Sequence, residues 1–145
     1  IGIWIRQSIN NEPLTIFGDG TQVRAFSDIK FYMKPFEKLM TELHGETFNI
    51  GADKGWTIND AARVVQGVAG EFGNHVDLKH LEKRNEVHTA YCDHHKAEKL
   101  LGFVDDTHLE DTVREMYTWA VSQPNRTVEY FDYEIEKNIY SFWKK

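Results

Sequence analysis

Ile58, Ala61, Ala62, Val65, Val68 and Ala69 fall at three- and four-residue steps, and only an α-helix brings all six to one face. Thr57 stands ahead of them with Asp60 three residues on, a relative of the capping box that opens helices. A helix this apolar on one side needs a sheet or other helices to cover it. Short apolar runs suited to strands occur at 14–17, 22–26, 47–50 and 76–81, the last alternating as a half-buried strand does. Gly18-Asp19-Gly20 separates the first two runs, and this turn chemistry predicts a hairpin.

Further helical stripes complete the pattern. Residues 2–11 carry Ile3, Ile5 and Ile9 with Trp4, ending at Asn10-Asn11 just before Pro13. Residues 28–43 carry Ile29, Met33, Phe36, Leu39, Met40 and Leu43, with Pro35 disturbing the first half. Asp93 precedes a short helix with Ala97, Leu100 and Leu101, which Gly102 stops. Thr107-His-Leu-Glu110 reads as a full capping box before Leu109, Val113, Met116, Tyr117 and Ala120. The tail from Gln123 holds Tyr130, Phe131, Tyr133, Tyr140, Phe142 and Trp143, too aromatic for a disordered segment, so it is expected to pack down. Short strands among longer helices make the class α/β or α+β.

At 145 residues the chain is expected to form one domain, 1–145. Lys and Arg number 17 against 23 Asp and Glu, a net charge of −6, which disfavours nucleic acid and anionic membranes as partners. No apolar run is long enough to span a membrane. Cys92 is the one cysteine, which excludes an internal disulfide and fits a reducing, cytoplasmic setting. The opening Ile1-Gly-Ile-Trp-Ile-Arg6 has no initiator Met and reads as a chain entered in mid-element.

Several motifs invite chemistry. Gly18-Asp19-Gly20 lacks the third glycine of a dinucleotide loop, since position 23 is Val. Tyr133/Lys137 and Tyr140/Lys144 have the spacing of a phenol–ammonium proton-transfer pair, but no cofactor loop precedes them. His88, Cys92, His94 and His95 crowd together; adjacent His94 and His95 would diverge on a helix, so surface histidines and one small thiol account better for them than a metal. Arg24 ends a strand after a tight turn, and Arg84 follows a strand in the polar loop Glu82-Lys-Arg-Asn-Glu86. Two such guanidinium forks on converging loops suit a diphosphate; on spacing alone, surface salt bridges account better for them.

Five segments, in order, carry a resemblance. They are Pro13-Leu-Thr-Ile-Phe-Gly-Asp-Gly-Thr-Gln-Val-Arg-Ala-Phe26, Gly45-Glu-Thr-Phe-Asn-Ile-Gly51, Trp56-Thr-Ile-Asn59, Arg84-Asn-Glu-Val-His-Thr-Ala-Tyr-Cys-Asp93, and Lys96-Ala97 with Leu100-Leu-Gly-Phe103. Together they resemble the C-terminal, sugar-nucleotide-binding lobe of extended short-chain dehydrogenase/reductases. The nearest members are the NAD-dependent epimerase/dehydratases, above all UDP-glucose 4-epimerase-like proteins. The resemblance implies short strands flanked by helices without the complete Rossmann sheet. It places Thr15 and Phe17 at the nucleotide base, Arg24 and Arg84 at the diphosphate, and Tyr91 in the wall of the nucleotide pocket. The family's glycine-rich loop and catalytic Tyr-x-x-x-Lys would precede Ile1, so the resemblance implies no catalytic residue and no cofactor in this chain, with NAD belonging to the full-length enzyme. Ala25 stands where the family often has Asp, and Lys30-Phe31 where it has paired Asp.

The expected function is therefore the nucleotide-sugar-binding part, with UDP as the expected nucleotide, of an epimerase or dehydratase that is inactive by itself. A stand-alone module for phosphorylated ligands, and a subunit docking on a separate NAD-binding chain, are the alternatives. The resemblance also makes the run at 47–50 a strand of the Rossmann sheet and the first helix a link out of it. Ile3, Trp4, Phe48 and Ile50 would then lack cover, which self-association or the missing Rossmann domain would supply.

Overall fold

In the computed structural model, which describes residues 1–43 and 45–124, Leu14–Phe17 (β1) and Leu78–Leu81 (β4) pair side by side in parallel, Leu14 against Leu78 and Phe17 against Leu81. Parallel strands need a long crossover between them. Ile58–Glu71 (α3) lies within that crossover and lays its apolar face on β1. Gly2–Ile9 (α1) and Leu109–Val121 (α5) pack on α3 from other sides. The resulting core holds Trp4, Ile5, Leu14, Ile16, Val65, Val68, Val113 and Tyr117, with the small residues Ala61, Ala62 and Ala69 fully buried among them. The helical stripe at 58–69 is thus buried as its periodicity predicts.

The expected hairpin does not form. The second strand, Val23–Ala25 (β2), joins a separate three-stranded sheet, antiparallel to Gly55–Thr57 (β3) and parallel to Thr89–Ala90 (β5). Gly18 and Gly20 do make a turn with positive φ, but it carries the chain from one sheet to the other. A Cβ at Gly20 would overlap the Asn59 side chain. The turn is pressed onto the start of α3: Asn59 donates its N–H to Gly20 O at 3.0 Å and Nδ2 to Asp19 O at 2.9 Å, and Ile58 N–H reaches Gln22 O at 2.9 Å. Thr57 completes the helix start by accepting from Asp60 N–H at 3.0 Å.

Three other expectations change. Residues 28–43 divide into a 3-10 turn, Ile29–Tyr32, and Met33–Thr41 (α2). Pro35 falls in the first turn of α2, where its missing N–H costs no helical bond. Most of the expected core stripe here faces outward: Ile29, Met33, Phe36 and Met40 are exposed. Only Leu39 and Leu43 help to cover a second small core of Ala97, Leu101 and Phe103 on His95–Leu101 (α4) and beyond. Residues 47–50 form no strand among the described residues, for no strand of this chain pairs with them. They are tied down by side chains instead: Phe48 and Ile50 pack on the second core, and Lys96 Nζ binds Glu46 and Thr47 O at 2.8 and 2.9 Å. Trp4, expected to be uncovered, is buried and donates Nε1–H to Thr15 O at 2.7 Å; Ile3 is exposed.

The capping box at Thr107 is also absent. His108 stands at the start of α5 without a side-chain cap. Thr107 Oγ1 is committed elsewhere, accepting from Asp28 N–H and donating to Asp105. The aromatic tail and both Tyr/Lys pairs, Tyr133/Lys137 and Tyr140/Lys144, lie outside the described residues. No helix of the described residues is long and apolar enough to cross a membrane.

Asp28 is the buried charge that joins the 3-10 turn to α5. Burial raises its pKa, but the Lys30 N–H, the Thr112 hydroxyl and the Lys30 ammonium outweigh this and hold the carboxyl below its ordinary value. A depressed folded value means that the carboxylate stabilises the fold above the unfolded Asp range and loses that contribution as pH falls through the folded value. Denaturant melts of wild type and Asp28→Asn from neutral to strongly acid pH are expected to converge as acid is added. A stability gap that does not change with pH would contradict this role.

Candidate functional site

Alternation along β1 decides what each of its residues can offer. Leu14 N–H and Gly18 N–H bond across to the β4 side, at Asp77 O and Leu81 O. Thr15 therefore turns its backbone the other way, toward α1, where its N–H reaches Gln7 Oε1 at 3.1 Å and its C=O receives Trp4 Nε1–H. Both of its backbone groups, and its hydroxyl, are engaged within the chain. Phe17, at the strand's end, accepts from Gln22 Nε2 through its carbonyl at 2.8 Å.

The parallel register sets the end of β4 beside Phe17, and the loop after β4 delivers Arg84. Its guanidinium lies flat over the Phe17 ring, 3.3 Å from the centroid, the stacked geometry that arginine adopts on aromatics. Arg24 reaches the same 82–88 loop from β2. Its Nη2 donates to Glu86 Oε2 at 2.8 Å and Val87 O at 2.9 Å, and its Nη1 to His88 O at 3.2 Å and Val23 O at 2.8 Å. Gln22, nearly buried, bridges the two halves through Nε2, which donates to Phe17 O and, at 3.3 Å, to Glu86 Oε1. Both arginines thus border one loop, Arg84 stacked and Arg24 ion-paired.

Tyr91 is exposed at the end of β5. It borders an open cavity of about 520 Å³ whose walls include Ala25, Ser27, Tyr32, Ile50, Gly51 and Cys92. A Cβ at Gly51 would press on Cys92 Sγ, so glycine lets this wall close. Phe17 and Arg84 are not among the residues that line this cavity; Tyr91 follows Ala90, which pairs with Arg24 in the parallel register of β2 and β5.

His88, Cys92, His94 and His95 are not gathered as one ligand set. His94 meets Asp53 and Glu98 instead, with Nε2 3.0 and 3.4 Å from their carboxylates. The ring is nearly buried and Nδ1 has no hydrogen-bond partner among the described residues. A metal on Nε2 would put the proton on Nδ1, which has no acceptor there; an Nε2–H donated to the carboxylates fits better. Glu86 and Gln22 were not singled out from sequence, because an acid in a loop already rich in charge and a glutamine after a turn carry no signal without the fold.

No protein-family model matches the chain. Individual proteins do. UDP-glucuronic acid decarboxylase 2 of Arabidopsis thaliana is 31% identical over 100 residues, 69% of this chain and 22% of its own length. The UDP-glucose 4-epimerase of Thermotoga maritima, solved with UDP-glucose, shares the fold with a TM-score of 0.74 at 23% identity over 83% of this chain and 38% of that one. The UDP-glucuronic acid 4-epimerase of Bacillus cereus, in complex with UDP-glucuronic acid and NAD, has a TM-score of 0.69 at 27% identity over 82% of this chain and 38% of that one. The curated relatives and solved structures that the chain matches are nucleotide-sugar epimerases, decarboxylases and dehydratases, of the NAD-dependent epimerase/dehydratase family. The chain spans between about a fifth and two-fifths of the length of its curated relatives.

As in the epimerase/dehydratase structures it matches, the architecture is α/β with short strands, and neither of its sheets is a complete Rossmann sheet. Neither the Gly18–Gly20 turn nor the start of α3 has the form of a dinucleotide site. A dinucleotide loop runs from a strand into a helix whose N–H groups meet the pyrophosphate, whereas Gly18–Gly20 leads into β2. The start of α3 is closed by Gly20 O, Gln22 O and Thr57. Titration of the 145-residue chain with NAD is expected to show no binding. One-to-one binding at micromolar affinity would overturn this.

Proposed function

We propose that this chain is the nucleotide-sugar-binding part of an epimerase/dehydratase, taking a UDP-sugar and leaving the redox chemistry to an NAD-binding portion. The observation that supports the reading is that Arg24 bonds to the 82–88 loop from which Arg84 projects over the Phe17 ring. Two fixed positive forks match the two phosphates of a nucleoside diphosphate, and an aromatic edge beside them suits a base or ribose. Thr15 contributes by fixing the strand against α1 rather than through free backbone groups. Tyr91 and the cavity it borders serve this reading as a wall of the nucleotide pocket. The chain's part in the reaction is to bind and orient, which lowers the barrier by holding the sugar before the cofactor.

A charge-assisted hydrogen bond contributes about 1.5–3 kcal/mol. Arg84→Ala and Arg24→Ala are each expected to weaken UDP binding about tenfold or more by calorimetry, with the circular dichroism of the chain unchanged. Affinity unaffected by either change would remove the diphosphate reading.

The same reading accounts for the exposed apolar stripe of Ile29, Met33, Phe36 and Met40. Residues of this kind on one face mark an interface, and the remainder of a family-length protein, or a second copy of this chain, is the proposed cover. Sedimentation of the isolated chain at rising concentration is expected to show association, reduced by Met40→Glu. A strict monomer at high concentration would contradict it.

A further inference from the structure

Arg24 is already occupied. Three of its four contacts are neutral backbone carbonyls, from Val23, Val87 and His88, and these hold the guanidinium in place whatever else binds. The fourth is a charge: Glu86 Oε2 at 2.8 Å. Glu86 therefore stands where an anionic oxygen of a ligand would stand on Nη2. Its side chain is 37% exposed, against 23% for Arg24, and it sits in a loop with no regular structure between β4 and β5. Its other oxygen has the longer 3.3 Å contact to Gln22 Nε2. Partly exposed ion pairs of this kind add little net stability, so the carboxylate can be exchanged while the carbonyls keep the arginine aimed.

We infer that Glu86 is a built-in competitor for the ligand's phosphate, which must be displaced from Arg24 on binding and which sets how many phosphate groups a ligand has to present. With Glu86 in place, Arg24, Arg84 and Glu86 sum to +1. With Glu86 swung out, the two arginines present +2, the match for a diphosphate. A nucleoside monophosphate offers one phosphate, enough for one guanidinium and not enough to replace Glu86 at the other. Selection of diphosphate over monophosphate then follows from the competing carboxylate as well as from the arginines. This inference rests on the nucleotide reading above and adds to it a residue that acts against binding.

The test is calorimetry of the full chain with UDP and with UMP, for wild type and Glu86→Gln. Gln keeps the shape and a hydrogen bond to Arg24 but removes the charge, and like charges forced together oppose binding. Glu86→Gln is expected to bind UDP roughly tenfold more tightly and to narrow the preference for UDP over UMP. Circular dichroism checks that both proteins are folded, and Glu86→Ala is expected to move affinity in the same direction. If wild type and Glu86→Gln bind UDP alike, or the variant binds more weakly, the competitor role is overturned while the nucleotide reading stands. If neither protein binds UDP, both fall together. Tighter UDP binding with an unchanged UDP/UMP ratio overturns the charge-selection role alone.

Discussion

The parallel pairing of β1 with β4 is the constraint from which the site follows. Strands more than 60 residues apart cannot meet through a tight turn, so the chain must travel out and return before the first rung closes. α3 is on that path, and its small residues Ala61, Ala62 and Ala69 let it settle against β1. Only when the register Phe17 against Leu81 is set does the loop after β4 leave beside the aromatic ring, which is how Arg84 comes to lie on Phe17. A slip of one residue would turn Phe17 to the other face of the sheet and take the stacking surface with it. The placing of Arg84 on Phe17 is therefore a product of core packing.

The helices were legible because a 3.6-residue period is written locally: the stripes of α3 and α5 are where the spacing puts them. Strand partners were not legible. The turn at Gly18–Gly20 has hairpin chemistry, yet β1 and β2 each find a better neighbour far along the chain, and a short apolar run says nothing about which. The two-residue strand β5 and the three-residue β3 are too short to show a period at all. α2 misleads in another way, for its apolar face is real and periodic but is not core in this chain. Thr107 shows why capping motifs fail: its hydroxyl is used by the buried loop at Asp28, and local sequence does not reveal a competitor 79 residues away.

For the site the same division holds. Arg24 and Arg84 were visible as residue types with a suitable chemistry, and their segments matched a family. The acid that pairs with one of them was not, since Glu86 looks like any surface glutamate until β2 and the 82–88 loop are set side by side. The resemblance and the geometry meet at one point: two arginines at the 82–88 loop, one of them with its counter-charge already present.

The turn that seals the beginning of α3 has one more consequence. A helix start is a ready source of dipolar positive charge, open to any anion. Here the carbonyls of Gly20 and Gln22 fill it from within the chain, at 3.0 and 2.9 Å. The molecule thus keeps two kinds of positive charge apart. The fixed kind, belonging to backbone dipoles, is consumed as mortar between sheet and helix. The other kind, carried on the guanidinium side chains of Arg24 and Arg84, is held by loop carbonyls, a carboxylate and an aromatic ring, and it alone can be retuned by changing a neighbour without disturbing the architecture beneath.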